Sequence, residues 1–379
     1  MDVYVIGTRG YPGIQGGVEK HCESLYPLIS QKGLIVTVFR RKPYIHNQNN
    51  QPVLQGVHFR DIWTLKKKSF EALIHSIISS IICLYKRPSI VHIHNIGPSL
   101  VLPLLKIGRL NTVVTYHSPN YEHNKWNLFA KRMLKIGEKF VSKWADEVIF
   151  ISEFQQLLIP CKNKSYIPNG VFKPKIASNS NVIRQIGATP GRYVLSVSRF
   201  VPEKGLHDLI AAFKLVSYDY KLVIAGDADH ETDYSRNLRR AAAEDQRIIL
   251  TGYITGEPLN QVYSHAGLFV LPSYHEGLSI ALLEAMSYGL PVLVSDIPTN
   301  REIGLPPERY FHCGDVKELK KKMDMLLEKG ILEEEKKEIQ TLIEEKYSWD
   351  RIADQTIQVY QEVIARKELG KFSKSLGKS

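Results

Sequence analysis

The sequence predicts an α/β protein built from two doubly wound parallel sheets that face a central cleft, and three observations carry the prediction. Short β-rich apolar runs alternate with longer helical patterns along the whole chain, as they do where crossover helices connect parallel strands. The alternation pauses once, at 173–192, where Pro, Ser, Asn and Gly replace apolar periodicity. At 379 residues and 44% hydrophobic content the chain exceeds one core and can bury two.

In the first half, strands are expected at 3–6, 35–39, 57–59, 90–92, 112–116 and 147–150. The most apolar stretch, 70–85, is short for a bilayer and carries Glu71 and His75, so it reads as a core helix. These elements make an N-terminal domain over 1–172, and 173–191 reads as its linker. The second half restarts at 193–197 and continues with strands at 222–225, 248–251, 268–271 and 292–294, giving a second Rossmann-like domain over 192–345. Beyond it, 349–364 carries apolar residues at helical spacing, and 346–366 is expected to pack back on the N-terminal domain. Residues 367–379 read as a frayed tail.

The net charge of +11 is unevenly placed: residues 1–187 hold 25 Lys and Arg against 10 Asp and Glu, and the remainder hold 25 against 29. A basic half suits nucleic acid, an anionic membrane or a phosphorylated acceptor. No aromatic-and-basic stacking motif supports nucleic acid. Four cysteines at 22, 83, 161 and 313 show no repeated spacing, and Met1 leads directly into a strand without a signal core. A cytoplasmic, reduced chain is expected.

The chemistry begins in the loop after the first strand, where Gly7, Gly10, Gly13, Gly16 and Gly17 precede a helix starting near Val18. Glycines let backbone N–H groups approach an anion at a helix N-terminus. The spacing is not Gly-x-Gly-x-x-Gly, and Phe39-Arg40-Arg41 stands where a ribose-binding acid belongs, which disfavours nicotinamide or flavin. In the second half, Ser198-Arg199-Phe200-Val201-Pro202-Glu203-Lys204-Gly205 leaves a strand's carboxyl end. Two cations on such a loop suit a diphosphate. Further on, Glu276-Gly277-Leu278-Ser279 opens a helix that carries Glu284, so that both acids can face one ligand.

The Glu276-x7-Glu284 pair, with Arg199 and Lys204, resembles glycosyltransferase family four. Val91-His92-Ile93-His94, Thr115-Tyr116-His117, Ile167-Pro168-Asn169-Gly170-Val171 and Ala225-Gly226-Asp227 support the likeness by their order, which covers nearly the whole chain. The resemblance implies a GT-B fold and a retaining hexosyltransferase that moves a sugar from a nucleotide diphosphate to a glycan or lipid-diphosphate acceptor in cell-surface polysaccharide assembly. It also implies roles. Gly16 and Gly17 would give backbone contacts to the donor, Arg199 and Lys204 would hold the diphosphate, Glu284 the ribose and Glu276 the transferred sugar, with Gly277 and Leu278 also donor-binding. His117 would lie beside that sugar, making His117, Arg199, Lys204 and Glu276 the catalytic set. Tyr253 and Ile254 are expected at the base, and His94, Tyr116 and Asn120 on the acceptor side.

No metal or other cofactor is expected, because the two cations stand where a metal would. Asp227-Ala228-Asp229 spells a metal-binding pattern of other glycosyltransferases but falls where a turn is due, and His92 with His94 lacks further zinc ligands in sequence. Lys66-Lys67-Lys68 and the cations at 125, 131, 132, 135, 139 and 143 suit solvated faces or an anionic membrane surface. A sugar-nucleotide epimerase of the same fold, or a non-catalytic nucleotide- or membrane-binding subunit, are the competing readings.

Overall fold

The computed structural model describes all residues except 47–48, 65–70, 120–127, 218, 331–332 and 377–379, with backbone alone at 129 and 370–376. Asn120, Lys66-Lys67-Lys68 and Lys125 therefore lie outside the described residues. The chain forms two compact units, one of Met1–Asn169 with Trp349–Ser379, the other of Gly170–Ser348.

Unit 1 runs β1 (Asp2–Ile6), α1 (Gly17–Gln31), β2 (Ile35–Arg41), β3 (Val53–Leu54), β4 (Val57–Ile62), α2 (Glu71–Lys86), β5 (Ile90–His94), α3 (Leu102–Ile107), β6 (Thr112–Tyr116), α4 (Leu128–Trp144), β7 (Glu147–Phe150), α5 (Glu153–Leu158) and β8 (Lys164–Tyr166). The strands order β3-β4-β2-β1-β5-β6-β7-β8, and all pair in parallel except β3 with β4. Every residue of β5, β6 and β7 is buried, as parallel strands covered on both faces require. Alternation then divides the side chains. Val91, Ile93, Val114, Tyr116, Val148 and Phe150 share one apolar cluster with Cys83 of α2, Leu102 and Leu105 of α3 and Val141 of α4. His92, His94, Thr115 and His117 take the opposite face.

Unit 2 runs α6 (Asn181–Gln185), β9 (Tyr193–Val197), α7 (Leu206–Lys214), β10 (Lys221–Ala225), α8 (Asp233–Ala243), β11 (Ile248–Gly252), α9 (Gly256–Ser264), β12 (Leu268–Leu271), α10 (Ile280–Ser287), β13 (Val292–Ser295), α11 (Pro298–Arg301), β14 (Tyr310–Phe311), α12 (Val316–Lys329) and α13 (Glu333–Lys346). Its sheet orders β11-β10-β9-β12-β13-β14, with every pairing parallel. One face buries Phe200, Leu209, Phe213, Leu238 and Met323 against Val194, Leu222, Ile224 and Val270.

The chain closes with α14 (Trp349–Leu376), which returns to unit 1 and packs along α1. Trp349 is buried with its ring against His21, and Lys32, at the C-terminal cap of α1, meets Asp354 at 2.7 Å.

Four sequence expectations change. The short edge strands β3, β8 and β14 were not expected, because two or three residues show too little alternation to read. Residues 173–191 are no free linker: the Ala177 and Val182 N–H groups donate to Ser264 and Gln261 of α9, and Ile183 is buried. The tail is not frayed from 367, since α14 runs to Leu376 and Lys367 donates to the Leu110 carbonyl at 2.8 Å. The stretch 70–85 is a core helix on one side only, because α2 leaves Ile77, Ile81 and Tyr85 exposed. Among the described residues no helix is long and apolar enough to cross a membrane.

Trp349→Ala should destabilise unit 1 by about 3 to 5 kcal/mol through the cavity it leaves. Urea unfolding followed by circular dichroism measures this, and an unchanged midpoint would contradict the role given to the α14 contact.

Candidate active site

In unit 2 the site is assembled where parallel strands end. The loop after β9 turns tightly over Pro202–Lys204, and Gly205 follows in the left-handed region at φ 63°. A Cβ on Gly205 would stand 2.0 Å from the Pro272 carbonyl oxygen, so only glycine lets this loop lie against the one after β12. The Tyr274 N–H donates to the Glu203 carbonyl at 2.9 Å and ties the two loops together. This seats Lys204 Nζ 2.6 Å from Glu276 Oε1, to which Ser273 Oγ also donates at 2.7 Å. The Glu276 side chain retains 8% of its exposure and that of Lys204 18%, so the pair is shielded more than a surface salt bridge yet reachable by a ligand.

Arg199, five residues before Lys204, donates to Asp229 at 2.8 Å. Asp227 pairs with Arg239 of α8. Each carboxylate of the Asp-x-Asp sequence therefore has its own arginine.

Ser279 caps α10, its Oγ accepting from the Leu282 N–H. Glu284 is half-buried on that helix and accepts from the hydroxyl of Tyr263 at 3.1 Å. Tyr263 is itself buried and stacks on Tyr288 at 5.1 Å. Leu278 is buried, Gly277 and Ile254 are half-buried, and Tyr253 is exposed where β11 ends.

In unit 1 the glycine loop folds over an ion pair. Arg9 reaches Glu19 in the first turn of α1 through its backbone N–H at 3.0 Å and its guanidinium at 3.2 Å. Burial alone would raise the Glu19 carboxyl, but the charge and hydrogen bonds of Arg9 hold it below its ordinary value. A Cβ at Gly16 would stand 2.1 Å from the Glu19 carboxylate, whereas one at Gly17 would meet nothing within 4 Å. The pairing dictates glycine at 16, and 17 stays open to a close approach.

Behind this loop lies a buried chain of ring and hydroxyl groups. Tyr360 of α14 reaches His92 Nδ1 at 2.6 Å, and His92 Nε2 reaches the Thr115 hydroxyl at 2.7 Å. Tyr26 of α1 bridges His92 Nδ1 and His94 Nε2, and His94 Nδ1 meets His117 Nε2 at 2.9 Å. His21 Nδ1 is bonded to Asn169 Oδ1 at 2.9 Å. Burial pushes every one of these imidazoles down, His21 to about 4 and His92 to about 3, with His94 and His117 well below their ordinary range. All four are neutral near pH 7, so each ring offers one donor and one acceptor.

Nitrogens of His21, His94 and His117 lie within 4.8 Å of one another, a spacing that a metal ion could use. The ring nitrogens of His94 are already engaged by Tyr26 and His117.

The expected residues thus fall in two sets. Arg199, Lys204, Tyr253, Ile254, Glu276, Gly277, Leu278 and Glu284 belong to unit 2; Gly16, Gly17, His94 and His117 belong to unit 1. Tyr116 is a correction: strand alternation turns it away from His117 into the apolar cluster, where its hydroxyl donates to Glu138 of α4 at 2.7 Å. Sequence reasoning missed Ser273, Tyr263, His21, Tyr26 and Tyr360. The first two are short hydrogen-bonding steps from a predicted acid, and the others come from helices that carry no motif. Arg40 also has a structural role: it is buried, bonds Asp61 at 2.7 Å and lies over the Phe59 ring.

Comparison with known proteins agrees with this division. Residues 15–171 match the model of Glycosyltransferase Family 4, and residues 180–344 match that of Glycosyl transferases group 1. An uncharacterized glycosyltransferase of Methanocaldococcus jannaschii is 31% identical over 50% of this chain and 50% of its own length. An Escherichia coli UDP-Gal:α-D-GlcNAc-diphosphoundecaprenol α-1,3-galactosyltransferase is 28% identical over 59% of this chain and 63% of its own. The chain spans half the length or less of the first curated relatives it matches. Among solved structures, a sucrose-phosphate synthase from Thermosynechococcus elongatus superposes with a TM-score of 0.81 at 21% identity, covering 96% of this chain and 99% of that one. That likeness establishes the two-sheet fold.

The neutral histidines set a pH dependence. An unfolded histidine takes its proton near 6.5, while folded His21 and His92 resist protonation until about 4 and about 3. Between those values the unfolded state binds more protons, so their contribution is full above pH 6.5 and falls as pH drops. Urea midpoints should decline from pH 7.5 to pH 5, and a level profile would contradict neutral burial.

Proposed function

We propose that this chain, a member of glycosyltransferase family four, transfers a sugar from a nucleoside diphosphate to a glycan or lipid-diphosphate acceptor with retention of configuration. The observation that carries the reading is the Lys204–Glu276–Ser273 contact at the joined ends of β9 and β12. It sets a cation and a carboxylate side by side where open parallel sheets bind ligands. The named acceptor of the E. coli galactosyltransferase, a lipid diphosphate, supports the acceptor class.

Each group has work that its chemistry suits. Arg199 and Lys204 meet the diphosphate, whose negative charge grows as the bond to the anomeric carbon breaks, and charge-assisted contacts strengthen with that charge. Glu276 accepts hydroxyl hydrogens of the transferred sugar, and Glu284, steadied by Tyr263, accepts those of the ribose. Tyr253 and Ile254 lie against the base. The acceptor hydroxyl attacks from the face that the diphosphate leaves: its oxygen bonds to the anomeric carbon, the carbon–oxygen bond to phosphate breaks, and the hydroxyl proton passes to the departing phosphate oxygen. Glu276 forms no covalent bond to the sugar.

The roles of Gly16, Gly17 and His117 follow from the same reading. Gly17 gives a backbone approach to the donor, and neutral His117 supplies a hydrogen bond to the sugar without adding charge. The two cations take the place of a metal.

Titration calorimetry with UDP, GDP, TDP and ADP in EDTA tests the account. One nucleotide should bind, and Lys204→Ala should weaken it by about 10- to 100-fold, the value of one charge-assisted contact. Glu276→Gln should keep that nucleotide's affinity and lose transfer by about 100-fold or more. Near-normal transfer by Glu276→Gln would remove the proposed site.

A further inference from the structure

Helix α2 carries large apolar residues on its outer side as well as its inner one. A surface helix normally turns its large apolar residues inward, and here Ile78, Ile82 and Leu84 do so against the apolar cluster, beside the buried Glu71, His75, Ser76, Ser79, Ser80 and Cys83. Ser76 and Ser80 donate to the carbonyls one turn back, both at 2.7 Å. Ile77, Ile81 and Tyr85, spaced one turn apart, form the outer stripe and are 39%, 56% and 83% exposed. Sheet packing does not require large side chains there, and water disfavours them.

The surroundings indicate what covers this stripe. Helix α3 adjoins both α2 and α4, and all three cover the same apolar cluster. On α3, Ile107 is 81% exposed. The outer face of α4 shows Arg132, Lys135, Lys139 and Lys143, also one turn apart and all exposed. The acids of these three helices are Glu71 and Glu138. Glu71 is buried against Arg41, and Glu138 is half-buried and accepts from Tyr116. The face is therefore apolar at α2, cationic at α4 and without an exposed carboxylate on either helix. A protein partner would need matching apolar and acidic patches, whereas anionic lipid supplies both in one surface.

We propose that the outer face of α2 and α4 docks unit 1 on an anionic lipid bilayer. Ile77, Ile81 and Tyr85 enter the boundary between headgroups and acyl chains, and the cations of α4 meet lipid phosphates. At 16 residues α2 lies in the interface and does not span it. The proposal stands apart from the sugar-transfer reading, since it concerns the lipid surface and not an acceptor molecule.

The test is co-sedimentation of the full chain with vesicles of phosphatidylglycerol and phosphatidylethanolamine, and with vesicles of phosphatidylcholine alone. Neither preparation contains a prenyl diphosphate, so acceptor binding does not contribute. The protein should pellet with the anionic vesicles at low salt, be released as salt rises, and remain in solution with phosphatidylcholine. Ile77→Ser/Ile81→Ser/Tyr85→Ser should weaken partitioning by about tenfold or more. Lys135→Glu/Lys139→Glu should weaken it by about 25-fold or more, on the basis of roughly fivefold per cation. Both variants change exposed positions and should keep the wild-type melting temperature. Absence of binding to anionic vesicles would overturn the proposal. So would a wild-type dimer in light scattering that the triple variant converts to monomer, because the stripe would then join two copies of this chain.

Discussion

Parallel strand direction is the constraint on which the rest of the structure depends. Every strand of the six-stranded sheet in unit 2 points the same way, so the loops after β9, β10, β11 and β12 leave from one edge. Arg199, Lys204, Asp229, Tyr253 and Glu276 all stand on those loops, and Lys204 pairs with Glu276 across 72 positions of sequence. The sheet supplies the neighbourhood, and one contact refines it. Gly205 against the Pro272 carbonyl closes the β9 loop on the β12 loop, and the Lys204–Glu276 pair is the result.

That pair gives unit 2 a particular resting state. Cation and carboxylate satisfy each other before a ligand arrives, so neither is left as an uncompensated charge. In the proposed reaction a diphosphate offers Lys204 a stronger partner, and sugar hydroxyls offer Glu276 donors in exchange. On the same proposal Ser273, which donates to Glu276 at 2.7 Å, keeps the carboxylate aimed while its cation moves. Arg199 and Asp229 repeat the arrangement one loop away. Unit 1 uses the opposite strategy, with neutral imidazoles and phenols in one hydrogen-bonded chain and Arg9 with Glu19 as the charged pair under the glycine loop.

Much of this was legible in the sequence for a physical reason. Apolar runs four to five residues long, broken by turn residues, specify buried parallel strands wherever they occur, and Glu276 and Glu284 are tied by one short loop and helix. What was not legible depends on side-chain direction or on distant chain. Tyr116 adjoins His117 in sequence, yet one step along a strand reverses the face, and it became part of the core. His92 and Tyr360 touch at 268 residues' separation, which no local pattern records. The apolar run at 70–85 was visible, but not that Ile77, Ile81 and Tyr85 stay on its outer side while Ile78 and Ile82 pack inward. Ser273 and Tyr263 carry residue types too common to single out without their distances to Glu276 and Glu284.

The most direct test of the central claim is a crystal structure of the protein with its matched sugar nucleotide bound. Lys204 Nζ should leave Glu276 for a phosphate oxygen, Arg199 should turn from Asp229 to the same diphosphate, and Ser273 should still donate to Glu276 while this carboxylate accepts sugar hydroxyls. A bound nucleotide that leaves the Lys204–Glu276 contact intact, with its diphosphate held elsewhere, would contradict the account.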